Sequence, residues 1–498
     1  METNNGKYTA MYDCRSKQEY IYRTNKIREI SGASRMLSGV YRMFISEAEK
    51  HGIRIKNTWV EESSEKKLFD PDSFISEGYN GTVIYEGGGN LNVLYDCRDT
   101  YIKANRIFSK MLLERTYSIS IIAAGTEYTG DFKADRERLY AEKNRQKDMG
   151  TFSVPTSVLP ITQTDSTTFL PIAEKKRLHG EYVDMTLESI HKNEMYDGNS
   201  GSELSTGVLD SLVLQKGEDS MLAVIYIDGN DMGSKLTACT GNMTDYPGCV
   251  TALREFSLHT NEYFVDRPVM AMERCLKEKN DRQAELIAEK PEKAHRYRQI
   301  IGGGDEITLI CRAEDAMDLV TAYFGELGKT PPLAPGIPNA SCAGIAIFHS
   351  HAPFADIYEV AESCCESGKK RSRSSGSTVS FIDFHYCSSG ITGSLEAIRE
   401  RQEKGLTKRP YSTEEFKEFI RVGRILSSAA KRSKVKYLGE AAVTGGSVFI
   451  AETERLKSRC GKPFIDLMNE YKEKEDELRQ LIYDISLVYD LWFKGGNE

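Results

Sequence analysis

The sequence predicts an α+β fold: two ferredoxin-like β-α-β-β-α-β units followed by a helical C-terminal domain. Three observations predict it. Strand and helix patterns occur in the same order in two stretches of the chain. A triple glycine, Gly87-Gly88-Gly89 and Gly302-Gly303-Gly304, sits between two apolar runs in each stretch. After residue 390, strand signals give way to helical periodicity.

In the first stretch, residues 7–13 (KYTAMYD) alternate like a strand and end on Asp13. Residues 16–50 read as helix, interrupted at Ser31-Gly32-Ala33-Ser34, where Gly32 suits a turn and Ser31 or Ser34 a cap. A hairpin follows, with strands at 82–86 and 91–95, then a helix at about 98–113 and a strand, SISIIAA. The second stretch opens on MLAVIYID, ending at Asp228, and continues with helix from about 250 to 278. Residues 279–298 are charged and read as an exposed extension. A strand ending at Ile301 and another from Glu306 to Cys311 flank the glycines. A helix (314–328), the strand SCAGIAIF, a helix (353–369) and the strand TVSFIDF complete the unit.

From Asp13 to Asn90 is 77 positions, and from Asp228 to Asp305 also 77. With the shared element order, this spacing points to an internal duplication. The expected domains are 1–130, 131–210, 211–390 and 391–498. The second of these is a linker region that starts as a charged helix and ends in DGNSGSELSTG. In the last, Ser412 and Glu415 form a capping-box pattern, and Leu481–Phe493 reads as an amphipathic helix broken by Asp484 and Asp490.

The 498 residues are 40% hydrophobic and 28% charged, with net charge -8. These values fit a folded soluble protein and make a poor general polyanion binder, so nucleic-acid contact needs local basic patches. Eleven cysteines without a C-x-x-C pair give neither zinc spacing nor a disulfide framework. No signal-like or membrane-spanning apolar run is present, so cytoplasm is expected and a membrane partner is not.

The chemistry concentrates in the second unit. Nucleotidyl transfer needs two divalent cations held by carboxylates. A strand-ending Asp228 and a neighbouring turn bearing Asp305 and Glu306 can supply them. Gly303 and Gly304 let the backbone turn and let a triphosphate approach. The loop Gly229-Asn230-Asp231 offers backbone N–H groups to phosphate. Asp231 reads as a helix cap or a further ligand, and Ser234 and Lys235 as phosphate contacts. Lys369, ending a helix, can reach a triphosphate as a point charge. The plain alternative is that these acids and glycines only make turns.

At these residues a resemblance enters. AVIYIDGNDMG, IIGGGDEITLI and SCAGIAIFHSHAPFADIYEVAESCCESGKK resemble the second palm domain of the large polymerase-like subunit of type III CRISPR effector complexes, and more distantly GGDEF-type cyclase domains. YDCRSKQEYIYRTNKIREISGASRML resembles the first palm of the same subunit. The likeness covers most of residues 1–390. It implies Mg²⁺ or Mn²⁺ on Asp228, Asp305 and Glu306, with the main-chain carbonyl beside Asp228 joining the shell. It implies ATP or another NTP as substrate, a cyclic oligonucleotide messenger as product, and a first palm that helps to form a composite nucleotide site. Implied partners are RNA or a CRISPR-type protein; a homodimer is a separate expectation.

The sequence departs from that pattern in four ways. The turn reads GGDE rather than GGDD. No HD nuclease segment precedes the first palm, which suggests a compact stand-alone form. VLPITQTDSTTFLPIA stands without cysteine where a zinc cluster is expected. In the first palm, Asn90 and Leu91 align with Asp305 and Glu306, so that palm is expected to be inactive. Two other readings remain. One is a diguanylate-cyclase-like enzyme, disfavoured by Ile307 in place of an aromatic. The other is a non-catalytic nucleotide sensor or RNA–protein scaffold.

Overall fold

The computed structural model describes residues 6–24, 26–58, 69–149, 161–178, 181–196, 212, 221–241, 243, 245–286, 296–350, 352–387, 394–403 and 405–493. The chain forms two compact units. One comprises Met1–Ser200, Met232–Glu262 and Leu333–Gly336; the other comprises Gly201–Asp231, Tyr263–Pro332 and Ile337–Glu498.

The strands of the first unit are β1 (Tyr8–Cys14), β2 (Ile55–Lys56), β3 (Gly81–Gly87), β4 (Asn90–Tyr95), β5 (Ile121–Glu127), β6 (Ile172–Leu178) and β7 (Glu181–Thr186). The first five make one sheet in the order β2-β3-β4-β1-β5, with β1 antiparallel to both β4 and β5. That is the ferredoxin-like order with β2 added in parallel at its edge. β6 and β7 form a separate antiparallel pair.

The helical reading of residues 16–50 holds, but its break lies elsewhere. Helices run Lys17–Tyr22 and Ile27–Lys50, so Gly32 lies inside a helix. A β-carbon there would stand 1.8 Å from the Lys192 carbonyl oxygen. The glycine therefore serves close approach of the Leu187–Met195 helix rather than a turn. Lys192 is fully buried in that contact, donating to the Tyr20 carbonyl (2.5 Å) and to Glu188 (2.6 Å).

The Tyr246–Asn261 helix is encoded between two strands of the second palm, yet it packs in the first unit. Its Tyr246, Cys249, Val250 and Leu253 repeat at helical spacing and enter one core with Ile84, Leu94, Phe74 and Phe132. Arg254 fastens it, donating to the carbonyls of Ile84 (2.8 Å) and Val83 (2.7 Å).

The second unit contains β8 (Met221–Gly229), β9 (Tyr297–Gly303), β10 (Glu306–Arg312), β11 (Ser341–His349), β12 (Phe381–Tyr386) and β13 (Tyr411–Ser412), in the order β13-β12-β11-β8-β10-β9. β11-β8-β10-β9 repeats the ferredoxin-like core. β12 joins β11 in parallel, which requires a crossover, and the Phe354–Ser374 helix provides it. Central β8 is buried from Leu222 to Ile227, as its unbroken apolar run requires. The helix read as ending near residue 278 continues to Leu286, so the charged segment begins as helix; residues 287–295 lie outside the described residues.

Among the described residues beyond 394 the elements are helices, apart from short β13. Ser412 accepts from the Glu415 N–H while Glu415 accepts from the Ser412 N–H, completing the capping box. The Glu475–Trp492 helix buries Leu481, Ile485, Val488 and Trp492. Asp484 is not a solvent-facing interruption of it. It is fully buried and accepts from Tyr411 Oη (2.5 Å), Thr407 Oγ1 (2.9 Å), the Lys408 N–H (3.1 Å) and Arg409 Nε (3.1 Å). Among the described residues, no helix is long and apolar enough to cross a membrane.

Asp484 compensates the fully buried Arg409 side chain, so Asp484→Ala should cost about 3–5 kcal/mol in urea unfolding. Asp484→Asn should lose less, because it keeps an acceptor. A loss from the alanine variant below about 1 kcal/mol would contradict this role.

Candidate active site

β8 and β10 run antiparallel with Asp228 directly opposite Glu306, so both side chains leave the same face of the sheet. Gly304 and Asp305 form the tight turn that joins β9 to β10, with Gly303 opposite Glu306. Gly304 has φ +65°, a conformation that costs an L residue a strained backbone. The Gly229 N–H donates to the Asp305 carbonyl (3.2 Å), tying the turn to the end of β8. A β-carbon on Gly229 would stand 2.7 Å from Asp305 Oδ2 and 2.8 Å from its Cβ. Glycine at 229 is therefore the condition for Asp305 to lie beside Asp228.

This proximity has an electrostatic cost. Burial, then the Asp228 charge, raises the Asp305 pKa to about 7, against the weaker pull of backbone and Lys369. Lys369 donates to Asp228 Oδ2. Burial works against that ammonium, but Asp228's charge and hydrogen bond outweigh it, and its pKa is raised. Deeper in the sheet, burial and then the charges of Glu306 and Asp228 push the Tyr226 phenol far up.

Asn230 is tied into the protein by its N–H and side-chain amide. It is buried, its N–H donates to Ala340 O (2.9 Å), and its Nδ2 donates to Ser372 Oγ (2.9 Å) and Val379 O (3.2 Å). Ser372 lies one turn beyond Lys369, so Asn230 anchors the helix end that carries the lysine. Asp231 is exposed at φ +53°, directly before the Met232–Thr240 helix. Ser234 is exposed and Lys235 buried on that helix, which belongs to the other compact unit. Gly303 is open: a β-carbon there would meet nothing within 4 Å.

Among the described residues, no three His, Cys, Asp or Glu side chains form a ready metal cage. Magnesium rarely needs one, because it keeps waters and takes one or two carboxylates plus substrate phosphates. Two crowded carboxylates, one with a raised pKa, are a donor set that a divalent cation would relieve.

The first palm shows the opposite solution. Its strand register corrects the alignment read from spacing: Asp13 pairs with Asn90, and Gly88-Gly89 form the turn. Gly89 and Asn90, not Asn90 and Leu91, thus occupy the places of Asp305 and Glu306. Asn90 Nδ2 donates to Gly88 O (3.1 Å), closing its own turn. Lys17 fills the room that Gly89 leaves, donating to Gly89 O (2.9 Å) and Asp13 (3.3 Å). Lys143 and Lys147 also approach Asp13, at 3.4 Å and 3.7 Å. Three ammonium groups stand around this one carboxylate, whereas among the described residues Asp228 is paired with Lys369. Lys143 and Lys147 come from a helix distant in sequence, Phe132–Asp148, so no local pattern marks them as neighbours of Asp13.

No protein-family model matches the sequence, and no curated protein matches it. Solved structures do match. Csm1 of the Csm1-Csm4 cassette in complex with one ATP superposes with TM-score 0.55 at 13% identity, over 98% of this chain and 70% of that one. The fold is that of Csm1. The cassette in complex with cA4 gives TM-score 0.53 at 13% identity, over 97% and 70%. Csm1 in T. onnurineus gives 0.52 at 14%, over 98% and 70%. The resemblance to the large type III CRISPR subunit therefore holds for the fold along nearly the whole chain.

Because Asp305 binds protons more readily folded than unfolded, its contribution to stability is lost as pH rises from about 4 to 7. Without divalent cations, Asp305→Asn should therefore gain melting temperature relative to wild type between pH 5 and pH 8. A gain that is flat across this range would contradict the crowding of Asp228 and Asp305.

Proposed function

We propose that this protein is a metal-dependent nucleotidyltransferase that converts ATP into a cyclic oligonucleotide messenger in CRISPR-type antiviral defence. The observation that carries this reading is the placement of Asp305 against Asp228, with Glu306 opposite and Lys369 on the same carboxylate. Csm1 structures with ATP and with cA4 support adenine as the base and a cyclic product. The cassette also supports a protein partner of the Csm4 type.

Asp228, Asp305 and Glu306 would hold Mg²⁺ or Mn²⁺. The chemistry such ions supply is acidification of the attacking 3′-hydroxyl and neutralisation of charge on the transferring phosphoryl group. The chain's own residues do the rest. Gly229 and Gly304 fix the carboxylates in place, and open Gly303 leaves space for a triphosphate. Asn230 holds the helix end so that Lys369 can pass from Asp228 to a phosphate oxygen. The 3′-hydroxyl of one nucleotide then attacks the α-phosphate of another, and pyrophosphate leaves.

Incubation with ATP or GTP separately, with Mg²⁺ or Mn²⁺, with and without RNA, and with products identified by mass spectrometry, tests the proposal. A cyclic oligoadenylate and pyrophosphate are expected from ATP. Asp228→Ala and Asp305→Ala should each lower turnover by about 100-fold or more in a folded chain. Lys369→Ala should raise KM about 10-fold. Cyclic di-GMP from GTP would instead favour the diguanylate-cyclase reading. No pyrophosphate from any NTP, or activity surviving both aspartate changes, would overturn the enzyme.

A further inference from the structure

The helix Phe354–Ser374 that carries Lys369 is seated hard on the sheet face that carries Asp228. The register sets Cys342 of β11 opposite Asp228 and Gly344 opposite Tyr226. A β-carbon on Gly344 would stand 1.9 Å from the Ala361 carbonyl oxygen and 2.5 Å from the Cys365 nitrogen. Backbone therefore lies against backbone there, as only glycine allows. A β-carbon on Gly368 would stand 3.2 Å from that of Cys342 and 3.3 Å from that of Phe381. The Cys365 thiol closes the contact by donating to the Cys342 carbonyl (3.1 Å).

The other side of Lys369 is pinned as well. Ser372 takes Asn230 Nδ2 (2.9 Å) and donates to the Val379 carbonyl (2.6 Å). Arg371 donates to Glu415 (3.0 Å) and to the Pro410 carbonyl. The backbone at residue 369 is thus fixed from both directions, and only the flexible lysine stem is left to move.

From that fixed base Lys369 reaches Asp228 Oδ2. The lysine side chain is 19% exposed and that of Asp228 25%. The pair is shielded more than a surface bridge, yet open enough for the ammonium group to leave. An ammonium group tethered this closely acts at high effective concentration. It repels a divalent cation and needs the same carboxylate, so the two compete for Asp228.

We propose that Lys369 is an internal counter-cation that holds Asp228 until a triphosphate draws it away, making nucleotide and divalent-cation binding interdependent. This rests on the nucleotidyl-transfer reading of the same site and adds the order in which that site fills. Without nucleotide, Lys369 opposes a metal ion at Asp228. A triphosphate offers the ammonium group another set of anionic oxygens, and Asp228 is released. The coupling is reciprocal: the factor by which nucleotide strengthens metal binding is the factor by which metal strengthens nucleotide binding. A lysine serving only as a phosphate contact would leave the affinity for metal alone unchanged. A lysine serving only as a strut would weaken both ligands when removed.

The test is calorimetric titration of the full chain in two separate arms, Mn²⁺ alone and a non-hydrolysable ATP analogue in EDTA. Lys369→Met keeps the apolar stem and removes the charge. It should bind Mn²⁺ about 5- to 150-fold more tightly than wild type and the metal-free analogue about 10-fold more weakly. Lys369→Arg keeps the charge and should bind Mn²⁺ no more tightly than wild type. Misfolding would weaken both ligands, so shifts of opposite sign exclude it. Unchanged or weaker Mn²⁺ binding by Lys369→Met would overturn this inference and leave the metal site standing. No Mn²⁺ binding by either chain, even with the analogue present, would overturn the nucleotidyl-transfer reading and this inference with it.

Discussion

The second palm depends on one unfavourable interaction, the approach of the Asp305 carboxylate to that of Asp228. Like charges at short range are costly, and half-burial raises the cost. The fold accepts it because the β9–β10 turn and the end of β8 are locked together through the Gly229 N–H, and because Gly229 leaves no atom between the two side chains. Lys369 offsets part of the charge, and Asn230 holds the helix end on which Lys369 stands. Each feature is intelligible as support for a concentrated negative charge that a divalent cation and a triphosphate would complete.

The first palm keeps the architecture and reverses the charge. Asp13 still ends its strand, and a glycine turn still lies beside it. With Gly89 where Asp305 would be, room appears for an ammonium group, and Lys17 occupies it. Lys143 and Lys147 add two more positive charges around Asp13. A cation site demands uncompensated carboxylates, and this carboxylate is overcompensated. One fold thus carries two electrostatic outcomes, decided by the residue in one turn position.

Much of this was legible in the sequence because the signals were local. Apolar strands ending on Asp228, the glycine turn before Glu306 and the Ser412–Glu415 cap each need only neighbouring residues. The misreadings involve partners far along the chain. Gly32 reads equally as a turn or as space for another helix, and only Lys192 decides. Asp484 reads as a polar break until Tyr411 and Arg409 are seen to surround it. Three successive glycines admit more than one turn register, so equal spacing misaligned Asn90 by one position. The β6–β7 hairpin leaves little trace in the sequence because IAEKKRL lacks most of the apolar alternation that reveals a strand. The packing of the Tyr246–Asn261 helix in the first unit leaves no local trace at all.

The central claim is that divalent cations belong to the second palm and not to the first. Electron paramagnetic resonance of Mn²⁺ titrated into the chain with a non-hydrolysable ATP analogue measures this directly. Bound Mn²⁺ should vanish in the Asp228→Ala, Asp305→Ala double variant and persist in Asp13→Ala. Binding that survives the double change, or is lost with Asp13, would contradict the account.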